Sequence, residues 1–228
     1  DYYPKSYTYF EKYYPKDGDN NLHGKRVREF CEDNKGILWI GTEDGGLNRF
    51  NLKTKDFSFF APSAGFTNIH GLCLVDDKLW VGTFSKGLKV IDTRSGVVLK
   101  TYQKNDSPRS LIDNSIFAIC KTATGDIYLG TMFGLVRYNK QSDDFDRIPE
   151  LNGKFIYDIK EDSAGNIWLA TYANGVYCYN VNDRKWKNYV HDDKDNTSLP
   201  YNKVSSVFED SHRQIWLTTQ GGGFCIFH

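Results

Sequence analysis

Leu38-Trp39-Ile40-Gly41-Thr42, followed by Gly46-Leu47, decides the fold because the stretch returns four times. The copies are Leu79-Trp80-Val81-Gly82-Thr83 with Gly87-Leu88, Ile127-Tyr128-Leu129-Gly130-Thr131 with Gly134-Leu135, Ile167-Trp168-Leu169-Ala170-Thr171 with Gly175-Val176, and Ile215-Trp216-Leu217-Thr218-Thr219 with Gly223-Phe224. Their aromatic anchors lie 41, 48, 40 and 48 residues apart. A period of that size, filled with short strands, is the signature of a propeller blade. The chain is therefore expected to be an all-β propeller of four-stranded antiparallel blades. Its five repeats fall near residues 27–66, 69–112, 116–152, 155–200 and 204–228, in one domain spanning 1–228.

Each repeat shows the alternation of a sheet buried on both faces. In Ile167–Thr171, Trp168 and Ala170 point one way and Ile167 and Leu169 the other, and both sets are apolar. The small residue after the aromatic pair (Gly41, Gly82, Gly130, Ala170, Thr218) fits a place where inner strands crowd. Turns such as Glu32–Gly36 and Glu161–Gly165 end on a Gly that tolerates positive φ. The fifth copy has Arg213 there, so the turn either differs or accepts strain. Long links near 16–25, 104–115 and 192–203 each carry turn formers and one Leu (Leu22, Leu111, Leu199), which is expected to pin the loop to the ring.

The fifth repeat supplies three strands, while residues 4–14 read as a spare aromatic outer strand. Pairing the two ends would complete the last blade and remove open edges. The alternative is an arc of a larger ring.

Composition narrows the function. Basic and acidic residues balance at 29 each, with no long basic run, so no nucleic-acid partner is expected. No apolar stretch is long enough to insert in a membrane. Asp1-Tyr2 opens without a charged and apolar leader, so no signal peptide is read here; a mature secreted domain would start the same way. Aromatics form 15% of the chain, enough for a core without a cofactor, and none is expected. Cys31, Cys73 and Cys120 recur at one place in the repeat, as do Cys178 and Cys225 at another. Such equivalents sit a blade apart, too far for a disulfide, and no Cys/His spacing points to a metal.

Ligands of rigid rings bind at the channel mouth. The residue after each motif Thr (Glu43, Phe84, Met132, Tyr172, Gln220) is expected to ring one mouth and differs in kind from blade to blade. Phe84 and Tyr172 could stack on a sugar face, while Glu43 and Gln220 could bond hydroxyls. His70 joins this set because it starts a first strand near the mouth. Asp44, Lys86, Phe133, Asn174, Arg28, Phe117 and Tyr157 are second-line candidates. No His pairing, nucleophile elbow or phosphate cradle stands out, so no catalytic residue is assigned.

The pattern Asp-x-x-Gly-x-Ile/Leu-Trp-Ile/Leu-Gly-Thr, then Gly-Leu and an aromatic strand, resembles the two-component regulator propeller repeat over nearly the whole chain. The resemblance implies a non-enzymatic, periplasmic sensor module of a hybrid histidine-kinase receptor. It implies a small soluble ligand, such as an oligosaccharide, and adjoining receptor domains as partners. In that family rings usually have seven blades and are followed by further domains outside this chain, so the blade number stays open. A propeller lyase or sugar-acting enzyme is the second reading, and a scaffold for protein docking or homodimerisation the third.

Overall fold

A computed structural model describes residues 10–16, 18, 20–60 and 66–228. Five antiparallel sheets follow one another along the chain. The first joins β1 (Val27–Glu32), β2 (Ile37–Thr42), β3 (Leu47–Asn51) and β4 (Phe57–Phe60). The second joins β5 (Ile69–Val75), β6 (Lys78–Thr83), β7 (Leu88–Asp92) and β8 (Val98–Tyr102). The third has β9 (Ile116–Lys121), β10 (Ile127–Thr131), β11 (Gly134–Asn139) and β12 (Asp144–Arg147). The fourth has β13 (Ile156–Glu161), β14 (Ile167–Thr171), β15 (Val176–Asn180) and β16 (Lys185–Tyr189). The fifth has β17 (Val204–Glu209), β18 (Ile215–Thr219) and β19 (Phe224–Phe227). First strands pack in succession, β1 on β5, β5 on β9, β9 on β13 and β13 on β17, which is the radial stacking of propeller blades.

The core lies between blades. Trp39, Leu47, Ile69, Leu72 and Leu79 form one cluster between the first two sheets, and equivalent clusters fill the next three gaps. Gly82 and Gly130 explain the small-residue position: a Cβ there would come within 2.7 Å of Ile116 Cγ2 and Ile156 Cγ2 of the following blade. Only glycine lets those first strands approach so closely.

The motif Asp and Trp act as a pair. Asp33 Oδ1 accepts from the amides of Lys35 and Ile37, while Oδ2 accepts from the Trp39 indole at 3.2 Å. Asp162 and Asp210 hold Trp168 and Trp216 in the same way. The long links behave as expected, with Leu22, Leu111 and Leu199 buried against the ring. All five cysteines are free.

Arg213 has φ 63°, the left-handed conformation that Gly36, Gly125 and Gly165 adopt in the matching turns. The fifth blade therefore keeps the turn type and accepts the strain. Arg213→Gly is expected to stabilise the protein by about 1 kcal/mol, since relief of the left-handed penalty exceeds the added chain entropy of glycine. A thermal melt checks this, with a rise of about 2–4 °C.

The expected completion of the last blade by the N-terminal strand is not made by the described residues. β19 pairs with β18 alone, and residues 10–14 form no strand. Residues 4–9 lie outside the described residues. Tyr13 instead packs on Phe50 and Phe57 of the first blade, at 5.0 and 5.5 Å. Tyr102 of the second blade packs on Tyr138 and Phe145 of the third in the same manner. Tyr13 thus stands where the outer strand of a preceding blade would put its aromatic ring. Nor does β1 seat against β17: Val27 and Phe30 are 39% and 58% exposed, whereas Ile156 and Ile159, their counterparts in β13, are 0% and 5%.

Candidate functional site

Two local devices build the mouth of the channel. The first is a threonine clamp. Thr42, Thr83, Thr131, Thr171 and Thr219 donate through Oγ1 to a glycine carbonyl across the turn at 2.7–2.9 Å. Each Oγ1 also accepts from a turn amide at 2.9–3.2 Å. The clamp fixes the turn after the second strand, so the next residue has a set direction. The amides of Glu43, Phe84, Met132, Tyr172 and Gln220 then donate to the carbonyls of Arg26, Asn68, Ser115, Phe155 and Lys203, at 2.8–3.1 Å.

The second device is a bulge. In every first strand the pairing slips at its second residue, between Val27 and Glu29, Ile69 and Gly71, Ile116 and Ala118, Ile156 and Asp158, and Val204 and Ser206. The skipped residues are Arg28, His70, Phe117, Tyr157 and Ser205. A bulge re-aims the unpaired side chain. All five line one cavity of about 520 Å³, whose wall is made by the first strands of the five sheets.

At one side of this mouth the rings form a continuous run. Phe117 lies 4.6 Å from His70, 6.1 Å from Phe84 and 4.5 Å from Phe155. Phe155 stacks on Tyr172 at 5.3 Å, and Tyr157 packs beside both. Phe84 and Tyr172 are 37% and 42% exposed, so the run is open to solvent. Lys203 Nζ sits 4.0 Å from the centre of the Tyr172 ring. His70 is held by Asn68 Oδ1 at 2.8 Å, and burial, aided by nearby Arg28, lowers its pKa.

The other side is charged. Glu43 is held by Arg28 and, at 3.1 Å, by Arg26. Hydrogen bonding to Arg28 above all, with Arg26, keeps its carboxyl below the usual range. Deeper in the channel, burial and the Asp158 carboxylate push Glu29 up to about 7, against the pull of Lys160. Asp158 itself accepts from Ser206 Oγ at 3.0 Å and from the Val207 amide at 2.9 Å.

Of the residues expected from sequence, His70, Phe84 and Tyr172 share the aromatic run. Glu43 stands at the same level but is engaged by two arginines, and Gln220 is exposed at the equivalent point of the fifth blade. Met132 holds the third such point, half-buried. Phe155 and Lys203 were missed. Their signal is the residue just before the β-branched start of each first strand (Arg26, Asn68, Ser115, Phe155, Lys203), which varies as much as the post-threonine set. Among the described residues, no three His, Cys, Asp or Glu side chains converge as a metal site.

Residues 21–44 and 150–173 match the family model of the two component regulator propeller. The two matches fall in the first and fourth of the five repeats, and the rest of the chain repeats the same blade. It is 29% identical over 196 residues to histidine kinase P4 of Formosa agariphila, covering 82% of this chain but 11% of that protein. The chain thus spans about a tenth of the curated relative it matches. Its fold is similar to the extracellular domain of a hybrid two component system from B. thetaiotaomicron, with TM-score 0.57, 23% identity, and 93% of this chain and 35% of that one covered. It is also similar to virginiamycin B lyase from Staphylococcus aureus, with TM-score 0.64, 16% identity, and coverage of 90% and 69%. Among the described residues no helix is long and apolar enough to cross a membrane.

Proposed function

We propose that the chain is the non-enzymatic, ligand-sensing propeller of a periplasmic two-component receptor, and that its channel mouth binds a soluble oligosaccharide. The observation that carries this reading is the solvent-open run of His70, Phe84, Phe117, Phe155, Tyr157 and Tyr172 above the channel. Rigid aromatic faces bury sugar C–H surface at low entropic cost, and the polar groups beside them (Glu43, Gln220, Ser205, Lys203) offer partners for hydroxyls. The likeness to a histidine kinase supports a signalling setting. Binding there acts on the receptor only if the ligand favours one arrangement of the adjoining domains over the other.

A glycan array followed by calorimetry tests the site. Phe84→Ala and Tyr172→Ala are each expected to weaken the best-binding glycan roughly tenfold or more, as hot-spot aromatics do, while leaving the circular dichroism spectrum unchanged. If both variants bind like the parent, the mouth is not the site. If no glycan binds at all, the ligand class is wrong.

A further inference from the structure

Three of the four motif tryptophans give their indole N–H to a carboxylate, Trp39 to Asp33, Trp168 to Asp162 and Trp216 to Asp210, at 2.8–3.2 Å. Trp80 is the exception. In the other blades the acceptor stands six residues before the Trp, and in the second blade that position is Leu74 of β5. The turn there is shorter, Asp76-Asp77 alone, with Val75 paired to Lys78. Its carboxylates go elsewhere, Asp76 to Lys121 at 3.3 Å and Asp77 to Arg94 at 2.8 Å. Trp80 is 4% exposed, and among the described residues its N–H has no partner. A buried donor without an acceptor is costly and rare.

The Trp80 ring keeps the pose of its equivalents. It stacks on Tyr102 at 6.4 Å and 25°, as Trp168 does on Tyr189 at 6.2 Å and 18°. It meets Tyr138 edge-on at 4.9 Å, as Trp168 meets Phe227. Its N–H is therefore aimed where the other blades hold their Asp. What lies there is a cleft of about 800 Å³ between the second and third blades, with Trp80, Val90, Ile127 and Tyr138 in its lining and Lys78 and Lys140 on its walls. Val90 stands opposite Trp80 and leaves the cleft open, whereas Trp39 faces Arg49, whose guanidinium lies 6.0 Å from the ring centre. Both blades carry all four strands, and residues 75–146 supply every wall. Of the wall acids, Asp76 and Asp146 are paired with Lys121 and Arg137, and Asp126 takes the Thr124 hydroxyl. Lys78 and Lys140 have no acidic partner among the described residues, so the spare charge is positive.

We infer that this cleft binds a small organic carboxylate with an apolar body. One oxygen accepts from Trp80 Nε1 as Asp33 Oδ2 does from Trp39. The body lies against Val90 and Tyr138, and Lys78 or Lys140 balances the charge. The other blades set the chemical class, because the group their tryptophans select is a carboxylate. The volume sets the size, which is that of a small-molecule pocket. The cleft shares no residue with the channel mouth, so either site stands or falls without the other.

The probe is sodium benzoate, titrated at constant ionic strength into the isotope-labelled 228-residue chain, with benzamide, its neutral isostere, in parallel. The Trp80 indole N–H resonance, identified by its loss in Trp80→Phe, is expected to shift downfield and saturate while those of Trp39 and Trp168 stay in place. Benzamide is expected to bind roughly tenfold more weakly, since a charged acceptor makes the stronger bond. Trp80→Phe keeps a ring and removes the donor. Benzoate, followed there by the Lys78 and Ile127 amides, is expected to bind it roughly tenfold more weakly as well. Unmoved Trp39 and Trp168 resonances show that this variant is folded, and the titration of the parent decides the matter if it is not. A Trp80 resonance that stays put, or drifts without saturating, leaves water as the indole's partner and overturns the inference. Equal binding of benzamide does the same. So do shifts confined to Phe84 and Tyr172, which would place benzoate at the mouth instead.

Discussion

Trp39→Ala is expected to cost about 3–5 kcal/mol, a large share of the 5–15 kcal/mol that holds an ordinary domain together. Trp39 is completely buried, stacks at 5.9 Å on Phe60 and joins the cluster that binds the first blade to the second. Its loss opens a cavity that two rigid sheets cannot collapse to fill. It also strips Asp33 Oδ2 of the indole donor, and about 1–2 kcal/mol of that total is the unpaired acceptor. Trp39→Phe keeps most of the volume and loses only that bond, so its cost is expected near 1–2 kcal/mol. Chemical denaturation of the two variants separates packing from hydrogen bonding. A midpoint for the alanine variant within about 1 kcal/mol of the parent would mean the blades do not rely on this side chain.

Glu29→Gln is expected to do the opposite and make the protein more stable at pH 8. Glu29 is partly buried in the channel wall across from Asp158, and its pKa rises from 4.5 to about 7 through burial first and Asp158 second, with Lys160 opposing. Between those values the folded protein holds a proton that the unfolded chain has released. Stability is therefore greatest below about pH 4.5 on this account, falls as pH rises toward 7, and stays reduced above it. After allowance for solvent screening at a partly exposed group, the charge costs about 1–2 kcal/mol at pH 8. Glutamine removes the cost and flattens the profile, so melts of parent and variant are expected to converge at pH 4 and to differ by about 2–6 °C at pH 8. Equal melting temperatures at pH 8 would show that Glu29 ionises without penalty.

What could be read from the chain and what could not divides along physical lines. The motif residues were legible because each has one job that few residue types can do. Trp39 needs Asp33, Thr42 clamps a turn, and Gly82 makes room for Ile116. The post-threonine positions were legible for the same reason, since the clamp sets where they point. The bulges were not. A slip such as that between Ile116 and Ala118 puts two residues opposite one, and no residue type marks it. Phe117 and Tyr157 therefore stand only in the second line from sequence and Phe155 outside it, although the structure sets all three rings side by side. The N-terminal segment 4–14 is aromatic enough to read as an outer strand, yet residues 10–14 form none and residues 4–9 lie outside the described residues. Its place was inferred from a head-to-tail count, which cannot distinguish a bond to β19 from the contact that Tyr13 makes with Phe50 and Phe57.

The bulges also bear on which positions of the mouth can vary. A side chain expelled from the ladder has no residue directly opposite it, so exchanging it costs lateral contacts, such as the pairing of Arg28 with Glu43, the bond of Ser205 to Thr218 or the rings around Phe117, and leaves the strand pairing itself intact. Arg28, His70, Phe117, Tyr157 and Ser205 are therefore five equivalent positions, one per blade, at which a side chain can change without breaking a strand ladder. If the mouth binds ligand as proposed, duplicated copies of these blades could change preference through substitutions at those positions while keeping the sheets that carry them.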